Sequence, residues 1–367
     1  MTLNEYLEQI ANKNIAIVGF GLEGKSTYNF LRSHFPDKHI AIFEIKEEVA
    51  KNFFEDKKEE NITIYSGENY LDDGKEKYNY VFVAPGINYR KISPYFPNAE
   101  IVNQAKVFLD LFADRVIGVT GTKGKSTIST LLKLTINEYQ DVELVGNIGI
   151  PAFDSINSDD GKRLYVFELS SHQLDQVTRS PHIALIVNLH EDHLEYHGTI
   201  EAYHNAKKNI YRYQTKNDYL LISNDENSKK ILNENVISNL YTYGIKGTER
   251  GIFIEGEDII FVDKGKREVI AKTNLERKIL GDFNLENIAR ILCILKIIGI
   301  NDLRKALNVI KEFPGLPHRL ENVGTFNNIT FFNDSISTIP ESAMNAINAV
   351  KNVGTIIIGG YDKGVSY

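Results

Sequence analysis

Val116-Ile117-Gly118-Val119-Thr120-Gly121-Thr122-Lys123-Gly124-Lys125-Ser126-Thr127 decides the fold: apolar residues suited to a buried strand run into a glycine loop, and an apolar helical segment follows. Strand, glycine loop and helix in that order open a βαβ unit with a parallel sheet. The same order occurs once before. Ile15-Ala16-Ile17-Val18 enters Gly19-Phe20-Gly21-Leu22-Glu23-Gly24-Lys25-Ser26, a helix-like segment runs through Leu31, and the next strand is Ile40 to Phe43. Apolar runs at Ile62 to Tyr65 and Tyr80 to Val83, then a turn at Ala84-Pro85-Gly86-Ile87, carry the first sheet to about residue 112. Runs at Leu164 to Phe167, Ile183 to Val187 and Tyr219 to Ile222 extend the second, each short enough for a buried parallel strand.

Alternating sequence from Tyr241 to Leu280 predicts a small antiparallel excursion before a helix over Asn284 to Ile298. After Phe313-Pro314-Gly315-Leu316-Pro317 a third unit is expected, with a strand at Thr330 to Phe332, a helix near Glu341 to Val350 and a strand at Thr355 to Ile358. The fold class is therefore α/β. Residues 1–112 are expected to form a Rossmann-like domain, 113–313 a central P-loop-type domain with a mostly parallel sheet, and 314–367 part of a Rossmann-like third domain, cut short at Tyr367.

Composition excludes several classes. A chain of 367 residues that is 42% hydrophobic and 25% charged is globular and too long for one core. Its net charge of -7 gives no basic footprint for a nucleic acid. The single cysteine, Cys293, lies in the apolar run Ile291 to Leu295 and reads as a buried structural thiol, consistent with a reducing compartment. Residues 1–14 carry no apolar leader, and no stretch approaches the ~20 apolar residues that span a bilayer. A soluble cytoplasmic protein, acting as a monomer without membrane or nucleic-acid partners, is the expectation.

The two loops compete for a triphosphate. The first satisfies GxGxxG at Gly19, Gly21 and Gly24 and the strict GxxxxGK[ST] at Gly19, Gly24, Lys25 and Ser26. Glu44 closes the following strand, where a dinucleotide fold sets an acid against ribose hydroxyls. A nucleoside-binding first domain follows, with Leu22, Glu23, Gly24 and Glu44 toward the substrate. The second loop has Val119 where the strict pattern wants glycine, yet Lys125 offers a point charge for the β/γ-phosphates and Ser126 or Thr127 a hydroxyl for Mg2+. Downstream, Glu168 ends a strand ahead of Leu169-Ser170-Ser171, and Asn188-Leu189-His190-Glu191-Asp192-His193 ends another; polar groups clustered there need partners. Nucleotide and Mg2+ are therefore assigned to the second loop.

These residues, with Gly146-Asn147-Ile148-Gly149, Ala206-Lys207, Gly281-Asp282-Phe283-Asn284-Leu285-Glu286-Asn287 and Pro317-His318-Arg319, resemble the Mur ligase family in family order over residues 15–367. Within it, Gly19 to Ser26, Ala84 to Ile87 and Asn333-Asp334-Ser335 look most like the D-glutamate-adding members. The resemblance implies an ATP-dependent ligase that joins D-glutamate to UDP-N-acetylmuramoyl-L-alanine through an acyl phosphate, in peptidoglycan synthesis and thus in cell shape and division. It implies a phosphate cradle of Gly121, Thr122, Lys123, Gly124, Lys125, Ser126 and Thr127, and two Mg2+ ions, one on Ser126 and Glu168, the other on His193 and a carbamylated Lys207. Thr199 is a candidate cap for the helix that presents Lys207. Asn147 would orient substrate, Asn284 and Asn287 would lie near adenine, and Arg319 and Asp334 would reach ATP. Ile336 stands where many members have lysine, which leaves Thr338 and Lys363 for the amino-acid carboxylates. Rival readings are another Mur-type or a folylpolyglutamate-type amide ligase, a nucleotide-binding protein without turnover, a dehydrogenase built on the first loop, and a zinc cluster of His190, His193, His197 and His204, whose spacing matches no strong ligand pattern.

Overall fold

The computed structural model describes residues 1–57, 59–72, 77–190, 192–232, 236–337 and 340–360. The chain divides into two compact units, one of residues 1–125 and 141–240, the other of residues 126–140 and 241–367.

The first unit holds two parallel sheets. Its leading sheet contains β1 (Ile15–Val18), β2 (Ile40–Glu44), β3 (Ile62–Ser66), β4 (Tyr80–Val83) and β5 (Glu100–Val102), in the order β3-β2-β1-β4-β5. Pairing is parallel from β3 across to β5. All four residues of β1 are buried, as expected of a central strand covered on both faces, which is why it reads as an unbroken apolar run. The other sheet contains β6 (Val116–Thr120), β7 (Val142–Gly146), β8 (Leu164–Glu168), β9 (Ile183–Ile186) and β10 (Tyr219–Ser223), in the order β10-β9-β6-β8-β7. The crossover at β6 puts its C-terminal end between β8 and β9, where the order of connection reverses and α/β proteins place their ligands. One apolar core runs from Tyr6 and Ile10 through Phe82, Phe108 and Phe153 to Phe167, Ile186 and Ile222, and a second, around Val18, Phe43, Val81 and Phe96, lies on the leading sheet.

The sequence reading missed the helix Leu3–Ala11. Its start is a capping box in which Thr2 accepts from Glu5 N and Glu5 reaches back to Thr2 N, a signal present in Thr2-x-x-Glu5.

In the second unit, β11 (Asn239–Tyr243) pairs through Thr242 and Tyr243 with β12 (Gly251–Glu255), which continues antiparallel into β13 (Asp258–Asp263) and β14 (Lys266–Lys272). The antiparallel excursion is thus present. The helix Asp282–Ile297 buries Cys293, whose thiol is pushed up by burial.

The expectation for residues after 314 needs correction. Thr330–Phe332 lies in a strand, but β16 (Ile329–Asn333) pairs antiparallel with β15 (Glu321–Phe326) rather than opening a parallel unit. Asn327 and Asn328 both take positive φ, 50° and 61°, as a two-residue hairpin turn requires. The helix Pro340–Ala349 is present, but Thr355–Ile358 forms no strand. Ile357 and Ile358 are 96% and 79% exposed, and an apolar run without a neighbouring strand has no ladder to join. Among the described residues no helix is long and apolar enough to cross a membrane.

Candidate active site

The second glycine loop leaves β6 at Thr120 and is shaped by a strand neighbour. Asn188, just past β9, accepts from Thr122 N at 3.1 Å and Lys123 N at 2.8 Å, and donates through Nδ2 to Lys123 O at 3.0 Å. Thr122 Oγ1 also meets Tyr203 Oη at 3.1 Å and accepts from His190 N at 2.9 Å. Gly121 is needed here because a Cβ would approach Val187 Cβ to 3.0 Å at a φ of +153°. Lys125 Nζ folds onto the loop's own carbonyls, donating to Gly121 O at 2.8 Å and Thr122 O at 3.1 Å.

Beside this loop lies a cleft of about 370 Å3 lined by Gly121, Lys125, Asn147, Ser170, Ser171, His172, Asp192, His193, Tyr203 and Lys207, with Pro85 and Gly86 from the turn after β4. Four of the expected catalytic residues, Lys125, Asn147, His193 and Lys207, therefore share one cavity wall. Glu168, at the end of β8, is fully buried and accepts from Asn147 Nδ2 at 3.0 Å through Oε1, while Oε2 has no hydrogen-bond partner among the described residues. A buried carboxylate oxygen without a donor is costly, and a cation is the group that repays it.

Lys207 is 2% exposed on the helix Ile200–Arg212, whose Thr199 cap accepts from Ala202 N at 3.1 Å. Its Nζ donates to Thr120 Oγ1 at 3.2 Å and Gly121 O at 3.0 Å. Burial, and then the neighbouring Lys125 charge, hold this amine well below the usual lysine range. A neutral buried amine is a nucleophile; an ammonium is not. His193 sits at φ +53°, a strained position for a side-chain-bearing residue, with Nδ1 3.3 Å from Glu195 Oε1. Its ring lies 4.7 Å from that of His172, whose imidazole is pushed down to about 4 by burial and the adjoining histidines. Among the described residues no group of three or more His, Cys, Asp or Glu side chains converges as a metal cage. Glu168 Oε2 is an oxygen donor that suits a hard cation completed by ligand oxygens, and His193 stands in the cleft wall.

The first loop is built differently. Phe20 N donates to Glu44 Oε2 at 2.6 Å and Lys46 N to Glu44 Oε1 at 3.1 Å, so the acid expected at a ribose instead occupies backbone donors of the loop and its own turn. A Cβ on Gly24 would stand 2.1 Å from Gly19 O, so this glycine serves close packing of helix on strand. Lys25 Nζ lies 5.6 Å from the Phe53 ring centroid. Leu22 is exposed, but Glu23, expected to face substrate, turns its carboxyl inward to Gln173 Nε2 at 2.8 Å.

In the second unit, Asn284 and Asn287 are buried on the first turns of their helix, and Asn287 Nδ2 donates to Asn284 Oδ1 at 3.0 Å. Ser126 Oγ has a long contact, 3.4 Å, from Arg319 Nη2. Asp334 accepts from Leu320 N at 2.9 Å and Ser337 Oγ at 2.5 Å, which holds the turn around Arg319. Thr338 and Lys363 lie outside the described residues. The reading of the sequence gave no role to Asn188, Tyr203 or His172; for Asn188 the signal was available, a polar residue at the end of an apolar strand.

Residues 119–295 match the Mur ligase middle domain. A UDP-N-acetylmuramoylalanine–D-glutamate ligase of Acetivibrio thermocellus is 31% identical over 372 aligned residues, covering 100% of this chain and 78% of that protein. In structure, the UDP-N-acetylmuramate-alanine ligase of Thermotoga maritima matches with a TM-score of 0.56 at 20% identity, over 92% of this chain and 77% of that one. A second Thermotoga maritima ligase, solved in complex with ADP, gives a TM-score of 0.51 at 17% identity, over 92% of this chain and 71% of that one. By sequence over its whole length, the chain belongs to the Mur ligase family.

Proposed function

We propose that this chain is an ATP-dependent ligase that joins D-glutamate to UDP-N-acetylmuramoyl-L-alanine, in the cytoplasmic synthesis of peptidoglycan precursors. The observation that carries the reading is the pairing of a buried, half-partnered Glu168 with a buried, deprotonation-prone Lys207 at the end of one parallel sheet, beside the glycine loop that bears Lys125. The relatives named for this reaction support the choice of substrates.

The substrate carboxylate attacks the γ-phosphorus of ATP, ADP leaves, and the acyl phosphate is then attacked by the D-glutamate amine, releasing phosphate and one proton. Lys125, released from its carbonyls, follows the β/γ-phosphates and neutralises charge as it shifts. Asn147, fixed by Glu168, holds the reacting carboxylate in line. The Lys207 amine adds CO2 to give a carbamate and a proton, which turns a group unable to ligate a cation into an oxygen donor. Glu168 and Ser126 would hold one Mg2+ and His193 with that carbamate the other, and bound ions would supply charge neutralisation for phosphoryl transfer. Asn284 and Asn287 are assigned to the adenine end and Arg319 and Asp334 to ATP. Residues 1–112 carry the UDP end, 113–313 the ATP site and 314–367 part of the amino-acid site.

Phosphate release measured with ATP and Mg2+ tests the assignment. Release that needs both UDP-N-acetylmuramoyl-L-alanine and D-glutamate supports it, and release supported equally by a folate acceptor or by neither substrate overturns it.

A further inference from the structure

Glu23 is a buried acid for which the chemistry above has no use. Its Oε1 accepts from Gln173 Nε2 at 2.8 Å, and its Oε2 is buried without a partner among the described residues. Part of the residue reaches the surface, but the carboxyl is the enclosed part, and that enclosure pushes it up to about 7, with the Gln173 hydrogen bond acting in the opposite sense. The polar groups that face it are uncharged: Gln173 from the turn Ser171–Leu174, and Gln104 and Thr27, which line a cavity of about 10 Å3 beside it. A cavity of that size has room for about one water.

The orientation of Gln173 is set from the other side. Ser170 N and Ser170 Oγ donate to Gln173 Oε1 at 2.9 and 3.1 Å, so the carbonyl is committed to Ser170 and the amide nitrogen must point to Glu23. Ser170 follows Glu168 by two residues and lines the cleft. On its main chain, Glu23 O accepts from Thr27 Oγ1 and Gln104 Nε2, both at 2.9 Å, and Asn103 Nδ2 donates to Gln173 O at 3.0 Å. Residue 23 therefore joins the first glycine loop to the turn beside the metal-binding acid.

We propose that Glu23 is a positioning residue for the ligase reaction, which through Gln173 locks the first glycine loop to the Ser170–Leu174 turn, so that the loop's state is felt at the catalytic cleft. The proposal rests on the ligase reading for its catalytic consequence, but the lock itself does not. Among the described residues the site offers the carboxyl one donor and no cation, which suits the neutral acid and not the carboxylate. The lock is therefore tightest below about 4.5, where an opened carboxyl would also keep its proton, and it loosens as pH rises to the folded-state value near 7, above which it is level.

Amide hydrogen exchange over residues 170–175 of the full chain, without substrate and corrected for intrinsic rates, reads the lock directly. Protection in the wild type should fall more than about fivefold between roughly pH 5 and 7.5, and Glu23→Gln, which keeps the shape of the neutral acid, should abolish that fall. In turnover, Glu23→Gln should flatten the same limb of kcat/KM for the UDP substrate while changing the KM for ATP less than about twofold. A wild-type pH response in Glu23→Gln overturns the proposal, as does a flat response in the wild type. Gln173→Leu should show low protection at every pH; if that variant does not fold, Glu23→Gln still decides. A wild type without D-glutamate-dependent phosphate release would refute the ligase reading, and the exchange data would still accept or reject the lock.

Discussion

The two glycine loops share one plan, a buried strand, a turn and a helix, and differ in what surrounds the turn. The first satisfies the strict phosphate-loop pattern, yet its Phe20 amide is taken by Glu44, its Gly24 is packed on Gly19 O, and the cavity beside it holds only about 10 Å3. The second breaks the pattern at Val119, yet it opens on about 370 Å3 of cleft with Lys125, Lys207, Asn147 and His193 in its walls. Glycine spacing specifies how a backbone turns; the ends of neighbouring strands specify what it can hold. We assign the triphosphate to the second loop on that ground.

The sharpest way to break this assignment is to remove the lysine that only the second loop has. Lys207 Nζ rests on Thr120 Oγ1 and Gly121 O, and no counterpart lies at the first loop among the described residues. Lys207→Ala should lower kcat by about a thousandfold or more, with partial recovery when formate or acetate stands in for the carbamate. Full activity in the variant would remove the carbamate from the mechanism.

Next in size is the paired comparison of the loop lysines. Lys125→Ala should cost about a hundred- to a thousandfold in kcat/KM for ATP, whereas Lys25→Ala should cost no more than about threefold. Equal losses, or the reverse order, would exchange the roles of the loops.

Much of this was legible in the sequence because the chemistry sits at strand ends and each strand is a plain apolar run. Lys125 and Glu168 could be placed from local context, His193 and Lys207 were assigned only through the family resemblance, and the cap at Thr199 formed as its position suggests. Glu23 could not, because its partner Gln173 lies 150 residues away and only tertiary packing turns the carboxyl inward. The antiparallel hairpin of β15 and β16 had a local signal, Asn327-Asn328, that a strand-helix-strand expectation overrode. Thr355–Ile358 has strand composition but no ladder, since β propensity describes a fit to neighbours rather than a property of the segment.

A third test uses pH on the first loop. The native Glu23 carboxyl keeps its proton up to about 7, while the unfolded chain releases it near 4.5, so folding takes up a proton between those values. Stability therefore falls as pH rises across that window and is level above it. Glu23→Gln does not titrate, so its advantage should grow from nothing below the window to on the order of 3 kcal/mol above it. Chemical denaturation of both proteins at either end of the window measures the difference, and a gap that does not change with pH would mean the carboxyl is solvated.

The smallest effect belongs to Glu44, and it separates the loops most cleanly. Its two oxygens hold Phe20 N at 2.6 Å and Lys46 N at 3.1 Å, so an anion already occupies the place where a phosphate would bind in a true triphosphate loop. Glu44→Gln keeps the shape but weakens a charge-assisted bond to about the strength of a neutral one, a loss of about 1 kcal/mol or a few-fold in affinity. If the first loop serves the UDP end, that loss falls on the KM of the UDP substrate and leaves the KM for ATP unchanged. If ATP bound there instead, removing a competing negative charge from the loop would lower the KM for ATP. The sign of the change, rather than its size, tells the two loops apart.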